Sequence, residues 1–259
     1  VIVLKIGGSV ITAKERPMTA REEEIGRIAE EIASSRVRRL VLVHGGGSFG
    51  HPLAKQYGIG EGYRSEAQLL GVSRIHGAMA TLNRMVVEAL TALGVPAIGV
   101  SPSSFIVADG GRMGPVDLAI ILGLVDKGMI PVLYGDVVLD RSMGFSIISG
   151  DQLASRLSVE LKASRLLFGV DVDGVYTSNP KLAPEARLIE RLPLSKLKGI
   201  LMVGEALTTD VTGGMLGKVS EASRAAEAGI EVLIFNAMKP ENIYRALRGE
   251  DVRGTLILR

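Results

Sequence analysis

The sequence has no cysteine. Disulfides, thiolate catalysis and cysteine-ligated zinc are therefore excluded. Only three histidines occur, His44, His51 and His76. No two of them share the H-x-x-x-H spacing, which argues against a histidine-built metal centre. No apolar run approaches the roughly 18 residues of a membrane span, so no membrane contact is expected. Basic and acidic residues nearly balance, 30 against 28, for a net charge of +2. With no long basic run, nothing in the charge pattern points to nucleic acid. The chain opens directly on the strand-like Val1-Ile2-Val3-Leu4 with no charged leader, and a cytoplasmic protein is expected. Internal repeats, low-complexity tracts and flexible linkers are also missing. What is present is 259 residues, 47% of them hydrophobic. That suffices for one large α/β domain or two closely joined lobes.

Apolar runs of strand length alternate with helical patterns. Strands are expected at Val1–Ile6, Leu40–Val43, Val95–Val100, Ile130–Tyr134, Leu166–Val170, Glu231–Phe235 and Thr255–Leu258. Their near-continuous apolar character is that of parallel strands buried on both faces. Helices are expected over 20–35, 65–93, 117–127, from about Asp151, over Gly214–Ala228 and over 240–247. The longest carries Leu69, Val72, Ile75, Met79, Leu82, Val86 and Leu90 at spacings of three and four. Residues 104–114, and Val137–Asp140 with Phe145–Ile148, read as hairpins. Residues 177–193 contain Pro180, Pro184 and Pro193 and read as mostly loop. Repeated β-α-β units imply a mainly parallel sheet covered on both faces, with ligands beyond the carboxyl ends of its strands.

Two glycine loops fall at such ends, Gly7-Gly8-Ser9 and His44-Gly45-Gly46-Gly47-Ser48-Phe49-Gly50-His51. The second contains G-x-G-x-x-G, a weak dinucleotide signal on its own. Pro52 and the polar stretch after it argue against a clean helix there. The acidic residue required further on could only be Glu61 or Glu66, and neither ends a strand. A Walker A reading of Gly217-Lys218 fails too: Thr212 stands where the first glycine belongs, and Val219 replaces the magnesium-binding hydroxyl. Glycines after a strand let backbone N–H groups approach an oxyanion. The two loops together therefore read as a pair of anion sites.

Three lysines are placed to serve such sites. Lys5 interrupts an apolar strand, where an unpaired charge costs several kcal/mol. Lys14 lies just beyond the first loop. Lys218 follows Gly213-Gly214 near the start of a helix, where the dipole already favours anions. Asp151, opening another helix, could fix nearby ammonium groups.

Lys5-Ile6-Gly7-Gly8-Ser9, His44-Gly45-Gly46-Gly47, Ser149-Gly150-Asp151, Asp171-Val172-Asp173-Gly174-Val175-Tyr176 and the run Asp210-Val211-Thr212-Gly213-Gly214-Met215-Leu216-Gly217-Lys218 together resemble the amino acid kinase superfamily. They do so in order and over nearly the whole chain. The resemblance implies an α/β fold, a three-layer αβα sandwich around a mainly parallel central sheet. It also implies an acceptor-binding lobe over 1–165 and an ATP-binding lobe over 166–259 within one continuous domain. ATP and Mg²⁺ are implied as cofactors, and a homodimer as the assembly. Ser48-Phe49-Gly50-His51 and Lys14 are similar to the isopentenyl phosphate kinases of that superfamily. This implies phosphorylation of isopentenyl phosphate to isopentenyl diphosphate, in isoprenoid biosynthesis by an archaeal mevalonate-type route.

Carried over residue by residue, Lys5, Lys14, His51, Asp151 and Lys218 form the catalytic set. Gly46, Gly47, Gly50, His51 and Gly150 hold the acceptor. Lys5, Gly7, Gly8, Ser9, Gly47, Asp171, Tyr176, Gly213, Gly214 and Lys218 hold the nucleotide, and no protein side chain holds the metal. His44 would only brace its loop. Val72, Ile75, Met79, Leu82, Ile147 and Ile148 are candidates to line an apolar pocket for the acceptor tail. Other acceptors stay open, namely a fosfomycin-type phosphonate, acetylglutamate or UMP, as does a non-catalytic nucleotide-binding protein of the same fold.

Overall fold

A computed structural model describes residues 1–178, 183, 185–196 and 213–258. Eight strands form the main sheet: β1 (Ile2–Ile6), β2 (Leu40–His44), β3 (Ala97–Gly99), β6 (Ile130–Tyr134), β9 (Arg165–Val170), β10 (Arg191–Pro193), β11 (Glu231–Asn236) and β12 (Gly254–Leu258). Their order is β10-β12-β11-β9-β1-β2-β6-β3. Every pairing is parallel except β11 with β12. The two expected hairpins join as a second, four-stranded sheet. It contains β4 (Val107–Asp109), β5 (Arg112–Met113), β7 (Asp136–Asp140) and β8 (Gly144–Ile148), in the order β5-β4-β7-β8.

The period of two sorts each central strand between two cores. Val3, Val41, Val43, Leu166, Phe168, Val232 and Ile234 enter one core. Leu4, Ile6, Leu40, Leu42, Leu167, Leu233 and Phe235 enter the other. The first core is covered by α5 (Ala119–Asp126), α6 (Gly150–Glu160) and α7 (Gly213–Glu227). The second is covered by α2 (Glu22–Ser35), α4 (Ala67–Ala92) and α8 (Asn242–Arg248). Three layers result, as expected. Among the described residues no helix is long and apolar enough to cross a membrane.

One expectation needs correcting, and two details are added. A helix does follow the second glycine loop: α3 (Gly47–Tyr57) contains Pro52. Proline denies Ser48 O its intrahelical donor, and the N–H of Met18 takes that place at 3.1 Å. The first loop likewise enters a short helix, α1 (Gly8–Ile11). Within 177–193, read as mostly loop, β10 pairs in parallel with β12. The Asp210-Val211-Thr212 part of the kinase-like motif, and Pro180 and Pro184, lie outside the described residues.

Candidate active site

The parity that sorts the core also aims Lys5. It shares a face with Val3, so its side chain leaves β1 toward α6 and α7. Lys5 is 5% exposed and Lys218, on α7, is 7% exposed. Both reach the carboxylate of Asp151, in the first turn of α6. Lys5 Nζ lies 2.7 Å from its Oδ1, and Lys218 Nζ 2.8 Å from both oxygens. Two ammonium groups thus share one carboxylate, which leaves a net positive charge facing the cleft.

Burial raises the pKa of Asp151, but the charges of Lys5 and Lys218 more than offset it and hold it at about 2. Burial lowers Lys218 to about 8, with Lys5 adding to the effect and Asp151 opposing it. Ser149 caps α6, accepting from the Gln152 N–H at 3.1 Å. That cap sets the first turn from which Asp151 projects.

The two glycine loops touch. A Cβ on Gly8 would stand 2.3 Å from the nitrogen of Gly47. Gly47 has φ +47°, and its Cβ would meet the Thr12 hydroxyl at 2.0 Å. Thr12 stitches the loops, donating to Gly8 O at 2.7 Å and accepting from Ser48 N at 3.0 Å. The N–H groups of Gly8, Ser9 and Gly47 open their helices and so have no carbonyl one turn before them. All three residues line the same cleft as the lysines.

That cleft has a volume of about 860 Å³, at the upper end of small-molecule sites. It is bordered by Lys5, Gly7, Gly8, Ser9, Lys14, Gly46, Gly47, Gly50, His51, Gly150, Asp151, Asp171, Tyr176 and Lys218. Gly213 and Gly214 open α7 just ahead of Met215, which borders the cleft.

Lys14 reaches across to Asp171 at the end of β9, at 2.9 Å. His51 is exposed in the cleft. The cleft walls strip part of its hydration and Lys5 adds like charge; both lower its pKa, with Asp151 opposing. His44 faces the other way, buried at 1% exposure. Its ring lies 3.2 Å from the Gly45 carbonyl and 3.2 Å from the Asn83 amide nitrogen. Burial, only partly offset by the Gly45 contact, lowers its pKa to about 4. A neutral ring bracing the loop is the role expected of it.

Of the tail-pocket candidates, Ile75, Met79 and Ile147 line the cleft, joined by Pro52 and Ala54. Leu82 and Ile148 are wholly buried in the two cores, and Val72 packs against one of them. Sequence reasoning missed a second apolar wall from the C-terminal half, made of Val175, Ile189, Leu192 and Leu216. Ile189 and Leu192 sit in the proline-bearing stretch read as mostly loop; the β10 pairing places Leu192, and the bond from Ile189 N–H to Val175 O at 2.8 Å places Ile189. Among the described residues no three acidic or histidine side chains converge as a metal site. Asp151, which lines the cleft beside the glycine loops, is already engaged by two lysines.

The chain matches the model of the "Amino acid kinase family" over residues 1–236. It is 47% identical to the isopentenyl phosphate kinase of Methanothermobacter thermautotrophicus, over 99% of this chain and 98% of that protein. It is 35% identical to the isopentenyl phosphate kinase of Methanocaldococcus jannaschii, over 98% and 97%. A solved structure of an isopentenyl phosphate kinase superposes with a TM-score of 0.87 at 43% identity, covering 99% of each chain.

Proposed function

Since the chain belongs to the amino acid kinase family, we propose that it transfers the γ-phosphoryl group of ATP to isopentenyl phosphate, giving ADP and isopentenyl diphosphate. The observation that carries this reading is the meeting of three features in one cleft. The first is two lysines on one carboxylate; the second is a pair of touching glycine loops with free N–H groups. The third is His51, on the helix that follows the second loop.

The chemistry needs little more. A phosphate monoester, with a second pKa of about 6, presents an oxygen that is already deprotonated, so no general base is required. Catalysis reduces to holding two polyanions in line and offsetting the charge on the transferred group. The acceptor phosphate is held by the N–H groups of Gly46 and Gly47 and by His51, with Gly50 and Gly150 leaving space around it. The dianion raises the pKa of His51 and favours its protonated, donating form. Lys5, Lys14 and Lys218 face the transferred group, and Asp151 orients two of them. Gly7, Gly8 and Ser9, with Gly213 and Gly214 at the start of α7, hold the nucleotide phosphates. Asp171 and Tyr176 lie toward the nucleoside.

Magnesium supplies charge offset on the nucleotide phosphates. With Asp151 engaged by two lysines, the ion would be carried in on the nucleotide phosphates, and Lys5 and Lys218 would add their charge to its own. The acceptor sits in the lobe of residues 1–165 and the nucleoside in the lobe of residues 166–259, with the nucleotide phosphates reaching the first glycine loop between them. Ile75, Met79 and Ile147 receive the branched tail. The family resemblance also supports a homodimer and a cytoplasmic location; light scattering and cell fractionation test these.

ADP release should be measured against isopentenyl phosphate, fosfomycin, acetylglutamate and UMP, for the wild type and for His51→Gln. Isopentenyl phosphate should be the preferred acceptor. His51→Gln should lower kcat/KM for it by about tenfold to a hundredfold, the worth of one charge-assisted hydrogen bond, with ATP binding intact. Preference for another acceptor, or near-normal turnover by His51→Gln, would refute the reading.

A further inference from the structure

We propose that the β4–β5 hairpin is a positioning element for Lys218 and Asp151, acting through Arg112 on Glu221 and through its backbone on Gln152. This rests on the functional reading above and extends it to residues that touch no substrate.

Glu221 lies three residues after Lys218 on α7, so the two share a helix face. The guanidinium of Arg112, on β5, grips the Glu221 carboxylate with two nitrogens: Nη1 on Oε1, and Nη2 on Oε2 at 3.2 Å. Such a fork fixes direction as well as distance. Gln152 is the residue next to Asp151 on α6. Its Oε1 accepts from the Met113 N–H at 2.7 Å, and its Nε2 donates to Gly111 O at 3.1 Å. The hairpin therefore grips both helices beside the charges they carry. A bond from the Ser155 hydroxyl to Glu221 O, 2.7 Å, closes the loop between α6 and α7.

The hairpin is itself held firmly. The carboxylate of Asp140 accepts from Gly110 N at 3.1 Å and Gly111 N at 2.8 Å. β4 also pairs with β7, which starts one residue after Gly135. A Cβ on Gly135 would stand 2.9 Å from the nitrogen of Gly150, at the start of α6. A rotation of α7 about its axis would swing Lys218 off Asp151. The fork from Arg112 opposes that rotation from outside the charged triangle. It also ties a lysine of the C-terminal half to a hairpin of the N-terminal half.

The test uses Arg112→Met, Glu221→Gln and the charge swap Arg112→Glu/Glu221→Arg. Arg112→Lys, which keeps the charge and loses the fork, serves if Arg112→Met fails to fold. With isopentenyl phosphate and ATP, kcat should fall by about tenfold to a hundredfold, as for a misplaced catalytic group. The KM for isopentenyl phosphate should stay within about twofold, and the swap should recover much of the loss. Values of kcat within about twofold of wild type in both single variants would overturn the proposal. So would parallel losses in kcat and acceptor KM that the swap does not rescue.

A second arm needs no acceptor. Calorimetry should show weaker binding of the magnesium complex of a non-hydrolysable ATP analogue, by about fivefold or more, with AMP binding unchanged. If the wild type fails on isopentenyl phosphate, the acceptor assignment falls. The calorimetric arm still decides the hairpin, and unchanged analogue affinity overturns it.

Discussion

Lys218 keeps its charge where water cannot solvate it. Burial and then the like charge of Lys5 bring its pKa to about 8, against the pull of Asp151. The folded value is below the unfolded one, so the native state binds fewer protons as pH rises past about 8. The lysine's contribution to stability therefore rises toward its unfolded pKa, while its use to a polyanion falls. kcat/KM for ATP, which reports the free enzyme, should decline above about pH 8. The kcat limb should lie at higher pH, because bound phosphates favour the ammonium form. Lys218→Arg should remove the limb, and a wild-type profile flat to about pH 10 would contradict the assignment. At this scale the sequence is partly legible. A lysine between Leu4 and Ile6 has to find a partner, and Asp151 at a helix start was a readable candidate. The Lys14–Asp171 pair, spanning 157 positions, was not, because local pattern carries no information about which loops meet.

The glycine loops act as elements through contact between their backbones. Gly8→Ala would drive a methyl group to 2.3 Å from Gly47 N, where no flexible side chain can yield. The loops must separate, with an expected loss of about 1–3 kcal/mol in stability. kcat should fall by about a hundredfold; chemical denaturation and steady-state kinetics measure the two. The hydrophobic pattern located the main strands and the long helix, since burial on both faces and a 3.6 period are strong signals. It misjudged α3 because a proline inside a helix reads as a breaker. The compensating donor, Met18, lies 30 residues earlier on another loop. It missed β10 because three residues make too short a pattern and their identity as a strand comes from β12.

At the scale of the molecule, residues 1–165 and 166–259 are not separable bodies. β1, from the first half, pairs along its whole length with β9, from Ile2 against Arg165 to Ile6 against Gly169. Calorimetry should therefore show one unfolding transition, and the pieces 1–165 and 166–259 should not fold when expressed apart. Two separate transitions, or a folded isolated half, would contradict this. The meeting of Gly8 and Gly47 gains a wider meaning here. With no side chain between them, the distance a phosphoryl group must travel is gauged by the thickness of two peptide chains. Met79 of α4 backs the second loop, 3.0 Å from where a Cβ on Gly46 would stand, so its size bears on that gauge. On the proposed reading, changes at Ile75 or Ile147, which line the cleft away from those loops, should alter acceptor choice more than the transfer distance. Acceptor choice would then be tunable at the cleft wall while the spacing of the two loops stays set by their own backbones.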